Sequence, residues 1–123
     1  MAVKISVLEA YILVEPSQGV NYWDILEGCF KISYMKDFVE KNDIWIFKSG
    51  PLRLTIDDLY KLHDIIVEHY PKVIKERKTA IVVESGFMSG LVQTFVGISN
   101  KLPFTLKVFN DLVSAENWIL EEI

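Results

Sequence analysis

The sequence has little of what identifies most small proteins on sight. Its single cysteine excludes a disulfide framework. One cysteine and two histidines cannot supply a Cys/His zinc cluster, so no metal site and no cofactor are expected. Proline and glycine are sparse, four and six residues in 123, and act as local punctuation with no low-complexity tract between them. Long apolar runs are missing too. The longest uninterrupted stretches are four to five residues, far below the roughly 20 needed to span a bilayer. A basic surplus is absent: 13 Lys and Arg stand against 17 Asp and Glu, a formal net charge of −4, which argues against nucleic-acid binding. The segment 1–15 carries one lysine and no apolar signal core, so no targeting peptide is read there and a cytoplasmic protein is expected.

What is abundant is apolar surface. Half of the residues are hydrophobic, which places the chain among globular proteins and not disordered ones. At about 100–200 residues per domain, residues 1–123 are expected to form one domain.

The pattern along the chain alternates strand and helix. Val3, Ile5 and Val7 alternate with Lys4 and Ser6 as a half-buried strand. Tyr11-Ile12-Leu13-Val14 is a short buried run, joined to the first through Glu9-Ala10 as a hairpin. Asn21 is placed to cap a helix, with Asp24 in its first turn and Ile25, Leu26, Cys29, Phe30 and Ser33 at helical spacing. Residues 35–42 read as an irregular turn before the strand Ile44-Trp45-Ile46-Phe47. Thr55-Ile56-Asp57-Asp58 matches a capping pattern, and Leu59, Leu62, His63, Ile66 and Tyr70 mark the helical face behind it, up to Pro71. A fourth strand spans 79–83. Phe87, Leu91, Phe95 and Ile98 form the next helical stripe, and Phe104, Leu106 and Val108 alternate as a fifth strand. Asn110-Asp111 caps a last helix carrying Leu112, Ala115, Trp118 and Ile119. The order β-β-α-β-α-β-α-β-α predicts an α/β fold with a mixed, mostly parallel sheet and about four helices, the first strand pairing antiparallel at an edge.

The C-terminal third carries a resemblance. Ala80-Ile81-Val82-Val83, Phe87-Met88-Ser89-Gly90-Leu91, Leu102-Pro103-Phe104, Val108-Phe109-Asn110-Asp111-Leu112, then Ala115 and Trp118 resemble the ending of the STAS domain. Within that superfamily they are most similar to the small bacterial SpoIIAA-like group, also described as STAS/SEC14-like. The resemblance implies a right-handed βα superhelix. It also implies a non-enzymatic regulatory or protein-interaction module, with binding of a lipid or other small apolar ligand as the alternative. STAS proteins that antagonise anti-sigma factors carry Asp-Ser-Ser-Gly at a helix start after the third strand, where a kinase phosphorylates a serine. Aligned without gaps from Ile44, that motif falls on Thr55-Ile56-Asp57-Asp58, with Asp57 at the acceptor position. The phospho-switch is therefore not carried over, and Thr55 remains as a hydroxyl nearby. One carboxylate at Asp57 lacks a phosphate's second charge and extra acceptor oxygens.

Two candidate sites follow. Ser49, Gly50, Thr55, Asp57 and Asp58 form a loop and helix start suited to docking a protein partner, although capping alone accounts for the last three. Ser85, Gly86, Phe87, Met88 and Ser89 lie between a strand and a helix, where open α/β sheets collect ligands. Phe87 and Met88 would line an apolar pocket there, and the competing reading is a plain strand–helix turn. Tyr22, Trp23 and Phe95 are further candidates for apolar ligand contact, and Tyr22, Trp23 and Tyr34 for a face that pairs two copies as a homodimer. His63 and His69, six residues apart, fall on opposite sides of one helix and make no metal pair. His63 reads as a partly buried, satisfied histidine, His69 as solvated and Cys29 as a small core residue. The cations in Lys72-Val73-Ile74-Lys75-Glu76-Arg77-Lys78 read as a solvated helix end, or as a weak contact for anionic lipid or an acidic partner. No catalytic constellation is recognisable, so an enzyme is not expected.

Overall fold

The computed structural model describes residues 3–17, 19, 21–48, 54–69, 77–83, 86–98, 102 and 104–121, with residues 39, 86–89 and 91 described by their backbone alone. The strands are β1 (Val3–Val7), β2 (Tyr11–Pro16), β3 (Asn42–Phe47), β4 (Lys78–Val83) and β5 (Thr105–Phe109). The helices are α1 (Tyr22–Ser33), α2 (Ile56–His69), α3 (Gly86–Gly97) and α4 (Leu112–Leu120), with a short 3-10 helix at Lys36–Val39. The chain is thus an α/β protein with the element order that the pattern predicts.

The five strands lie side by side in sequence order. β1 runs antiparallel to β2, with Val3 opposite Pro16 and Val7 opposite Ile12, and the turn is closed by Leu8 N–H donating to Tyr11 O at 2.9 Å. The pairs β2–β3, β3–β4 and β4–β5 are parallel. Parallel pairing needs a crossover each time, and the crossovers put α1 and α2 on one face of the sheet, where α3 follows after β4. Among the described helices, α4 covers the opposite face alone, packing Ala115 and Ile119 on Ile44, Ile46, Ala80 and Val82. Covered on both sides, β3 and β4 are buried along almost their whole length, which is why they read as continuous apolar runs.

Local chemistry sets the helix starts. Asn21 Oδ1 accepts from Asp24 N–H at 3.0 Å while Asp24 Oδ2 accepts from Asn21 N–H at 3.1 Å, a reciprocal capping box. Behind it Tyr22, Ile25, Cys29 and Ile32 face the sheet. Gly28 lets this helix come close: a Cβ there would sit 3.3 Å from Val3 Cγ1 and 3.4 Å from the Trp45 ring. Asp111 caps α4 by accepting from Ser114 N–H at 2.8 Å, and that bond holds the Asp111 carboxyl below its ordinary range.

Three expectations need correction. Residues 36–39 form a 3-10 helix that buries Phe38 completely, where an irregular turn was expected. β3 begins at Asn42, two residues earlier than the apolar run implied, because Asn42 and Asp43 make polar contacts inside the fold. Arg77 and Lys78 are not a solvated helix end: both are buried, and Lys78 opens β4. The Lys78 ammonium donates to Trp118 O at 2.9 Å and Glu121 O at 3.1 Å, closing the end of α4, where Trp118 O also accepts from Glu121 N–H at 3.3 Å. The expected Tyr70 and Pro71 helix end, and Lys72 to Glu76, lie outside the described residues.

On the α4 face, Tyr11 Oη donates to Glu116 Oε2 at 2.7 Å. Burial, then the Glu116 carboxylate, push the Tyr11 phenol up to about 12. The folded chain therefore keeps this proton where the unfolded chain has lost it. The contribution to stability is full below about pH 10 and is lost as pH rises through about 12. Replacing Tyr11→Phe is expected to cost on the order of 1 kcal/mol at neutral pH. The same change should flatten the alkaline loss of stability, as read by urea unfolding across that pH range.

Candidate functional site

Between the sheet and α1–α3 the packing leaves a cavity of about 80 Å³. A buried water needs only about 10–15 Å³, so the space exceeds a packing defect of solvent size. Its floor is Trp45 and Phe47 from β3, Ile81 from β4 and Leu106 from β5. Its roof is Leu59, Leu62 and Ile66 from α2 with Val92 and Phe95 from α3, and Ile25 and Cys29 of α1 close one side. Leu54 stands at one end, before α2, and Phe104, Asp43 and Thr79 at the other. From Asp43 to Phe47 the strand rises about 13 Å, so the space is a slot along the strands.

The accessible wall is apolar; behind its Asp43 end strand periodicity builds a buried polar group. Residues two apart on a strand share a face. Asp43 therefore points to the same side as Trp45 and Phe47, and Arg77 to the same side as Thr79. The parallel register sets Asp43 directly opposite Thr79. Thr79 Oγ1 donates to Asp43 Oδ1 at 2.6 Å, and Trp45 Nε1 donates to Asp43 Oδ2 at 2.9 Å. Arg77 Nη1 lies 3.0 Å from Asp43 Oδ1 and donates to Thr79 Oγ1 at 3.2 Å. Arg77 Nε donates to Phe38 O at 3.2 Å, and the guanidinium carbon lies over the Phe38 ring at 3.7 Å. Both charged side chains are 2% exposed. Taking them out of water is expensive, and the attraction offsets that cost only when the remaining polar atoms are bonded. Both Asp43 oxygens are, but the buried Arg77 Nη2 meets no hydrogen-bond partner among the described residues.

The residues singled out from sequence fall elsewhere. Thr55 and Asp58 form a reciprocal cap, Asp58 N–H donating to Thr55 Oγ1 at 3.1 Å and Thr55 N–H to Asp58 Oδ2 at 3.0 Å. Asp57 is exposed and pairs loosely with Lys61 at 3.8 Å. Asp58 also lies near Tyr22, whose phenol is raised first by burial and then by that carboxylate, so the starts of α1 and α2 adjoin. Ser49, Gly50 and Ser85 lie outside the described residues. Gly86, Phe87, Met88 and Ser89 form the first turn of α3, their side chains outside the description. Phe95 and Cys29 line the slot, Tyr22 is buried in the core, and Trp23 and Tyr34 are exposed. His63 is buried, where a partly buried and satisfied histidine was expected: Nδ1 lies 3.1 Å from Asp64 Oδ1, and Nε2 meets no hydrogen-bond partner among the described residues. His69 is exposed, its ring against the edge of Phe30. Among the described residues no three acidic, His or Cys side chains converge to hold a metal, and no helix is long and apolar enough to cross a membrane.

Asp43, Thr79 and Arg77 were missed. One signal was present: Asp43 is in phase with Trp45 and Phe47, a charge within a core stripe, which demands a buried partner. Comparison with family models, curated proteins and solved structures returned no match.

Breaking the buried pair has a stated consequence. Asp43→Ala strands the Arg77 charge and is expected to cost about 3–5 kcal/mol in urea unfolding. The double change Asp43→Leu with Arg77→Met should restore most of that loss.

Proposed function

We propose that the protein is a non-enzymatic binding module that holds a small apolar ligand in the slot between the sheet and α1–α3. The observation that carries this reading is the slot itself, larger than a water and with a wall that is apolar along its length. Well-packed interiors leave few voids larger than a water, and enclosed apolar cavities of about 150 Å³ stay dry and accept benzene or xenon. The STAS/SEC14-like resemblance supports the same reading from an independent side.

A second reading is docking of a protein partner at the adjoining starts of α1 and α2, as the STAS resemblance implies. Trp23 and Ile56 favour it, standing 71% and 57% exposed at these helix starts. Thr55 and Asp58 use their side chains on each other, so the apolar pair would carry the contact. Ligand binding ranks first because its site is built into the core.

The test is titration with n-hexane, followed by methyl resonances. Shifts confined to Ile25, Leu62, Ile66, Ile81 and Val92, with a rise in Tm by mass action, are the expected result. Val92→Phe, which fills the slot, should abolish both. Unmoved methyl resonances at saturating hexane would reject the reading. For the second reading, Trp23→Glu with Ile56→Glu should abolish pull-down of a specific host protein while leaving the hexane shifts intact.

A further inference from the structure

The wall of the slot offers a guest no polar atom to bond. Among the described lining residues, Cys29, Asp43, Trp45 and Thr79 carry a heteroatom in the side chain. Cys29 has only a thiol, a weak donor and acceptor. The other three turn their polar atoms on one another and on Arg77. Asp43 Oδ2 accepts from Trp45 Nε1 at 2.9 Å. Asp43 Oδ1 accepts from Thr79 Oγ1 at 2.6 Å and lies 3.0 Å from Arg77 Nη1, which also donates to that hydroxyl. Trp45 has two tasks here: its ring lies in the floor of the slot, while its Nε1 closes off the carboxylate two residues earlier on the same strand face.

We infer that the slot takes only guests without a hydrogen-bonding atom, short unfunctionalised hydrocarbons, and that Trp45 is the residue that sets this specificity by sealing Asp43 Oδ2. The inference rests on the binding reading above and adds the chemical class of the guest. An alcohol, ether, ketone or acid entering the slot gives up its bonds to water and meets no replacement, which is costly for any buried polar group. A hydrocarbon gives up nothing of the kind. The seal is also removable. In Trp45→Phe an aromatic ring stays in the floor, Arg77 still holds Asp43 Oδ1, and Oδ2 loses its indole donor. A hydroxyl on the guest would then have a charged acceptor to donate to.

The experiment titrates n-pentane, diethyl ether and 1-butanol, which match in chain length, into the wild type and Trp45→Phe. The three differ in chemistry: the alkane has no polar atom, the ether only an acceptor, and the alcohol a donor as well. Water solvates them differently, so the readout is each probe's change in Kd on mutation. The expected result is a tightening of 1-butanol by about tenfold or more in Trp45→Phe, with n-pentane and diethyl ether changing alike and by less than about threefold. Space opened by the smaller ring acts on all three, so only the alcohol's separate gain reports the seal. A wild-type measurement keeps the test open if the variant folds poorly. There the ratio of the 1-butanol and n-pentane Kd values should follow their partition from water into cyclohexane, which offers no hydrogen bond, and not into octanol, which does. An equal response of alcohol and ether to the mutation, or a wild-type ratio at the octanol value, would overturn the sealed-wall assignment while leaving an apolar slot standing. Failure of the wild type to bind n-pentane would remove the slot reading itself.

Discussion

The buried ion pair between Asp43 and Arg77 is the constraint on which the rest depends. It joins the first turns of two parallel central strands and, through Phe38 O and the Phe38 ring, ties in the short helix that leads into β3. Charges so deeply buried are weak evidence for stability, since well-packed apolar residues often do as well. Their value is specificity. A one-residue slip of β3 against β4 would turn Asp43 towards the α4 face, among Ile44, Ile46, Ala80 and Val82, with no cation to meet it. The pair thereby fixes register, and register decides which side chains face the slot.

The uneven distribution of helices follows from the connections and explains where space remains. α1, α2 and α3 share one face, and their apolar stripes must tile it together. Gly28 lets α1 descend onto Val3 and Trp45. In α3 a Cβ at Gly90 or Gly97 would meet nothing within 4 Å, and over β4 and β5 α2 and α3 roof the slot with Leu62, Ile66, Val92 and Phe95. On the opposite face α4 packs on small and β-branched residues, Ala80 and Val82 among them, and Lys78 closes its end. The slot thus belongs to the face with several helix neighbours, between elements held apart by large side chains at its floor.

Much of this was legible in the sequence. Alternation at Val3, Ile5 and Val7, the Asn21 and Asp111 caps, and the spacing of Leu59, Leu62 and Ile66 gave the elements and their order. What escaped was polar. Arg77 and Lys78 follow a run of cations and look solvated, because a local pattern cannot show that their partners stand 34 residues earlier at Asp43 and 40 residues later at Trp118. Asp43 stands one residue before the apolar run Ile44–Phe47, so a boundary drawn by hydrophobicity alone leaves it out. The slot escaped as well, since a void is a property of how helices rest on a sheet and no single residue announces it. Thr55, Asp57 and Asp58 drew attention through a motif, and the structure uses two of them for capping.

The central claim is that the space above Trp45 and beneath Leu62 and Phe95 is a real, apolar, guest-accepting slot. Crystals of the protein pressurised with xenon test it most directly, because xenon enters dry apolar cavities without needing any polar contact. The account predicts ordered xenon between these three side chains and no xenon among Asp43, Thr79 and Arg77. A core closed over that space, with Leu62 and Phe95 packed onto the sheet and no xenon bound, would contradict it.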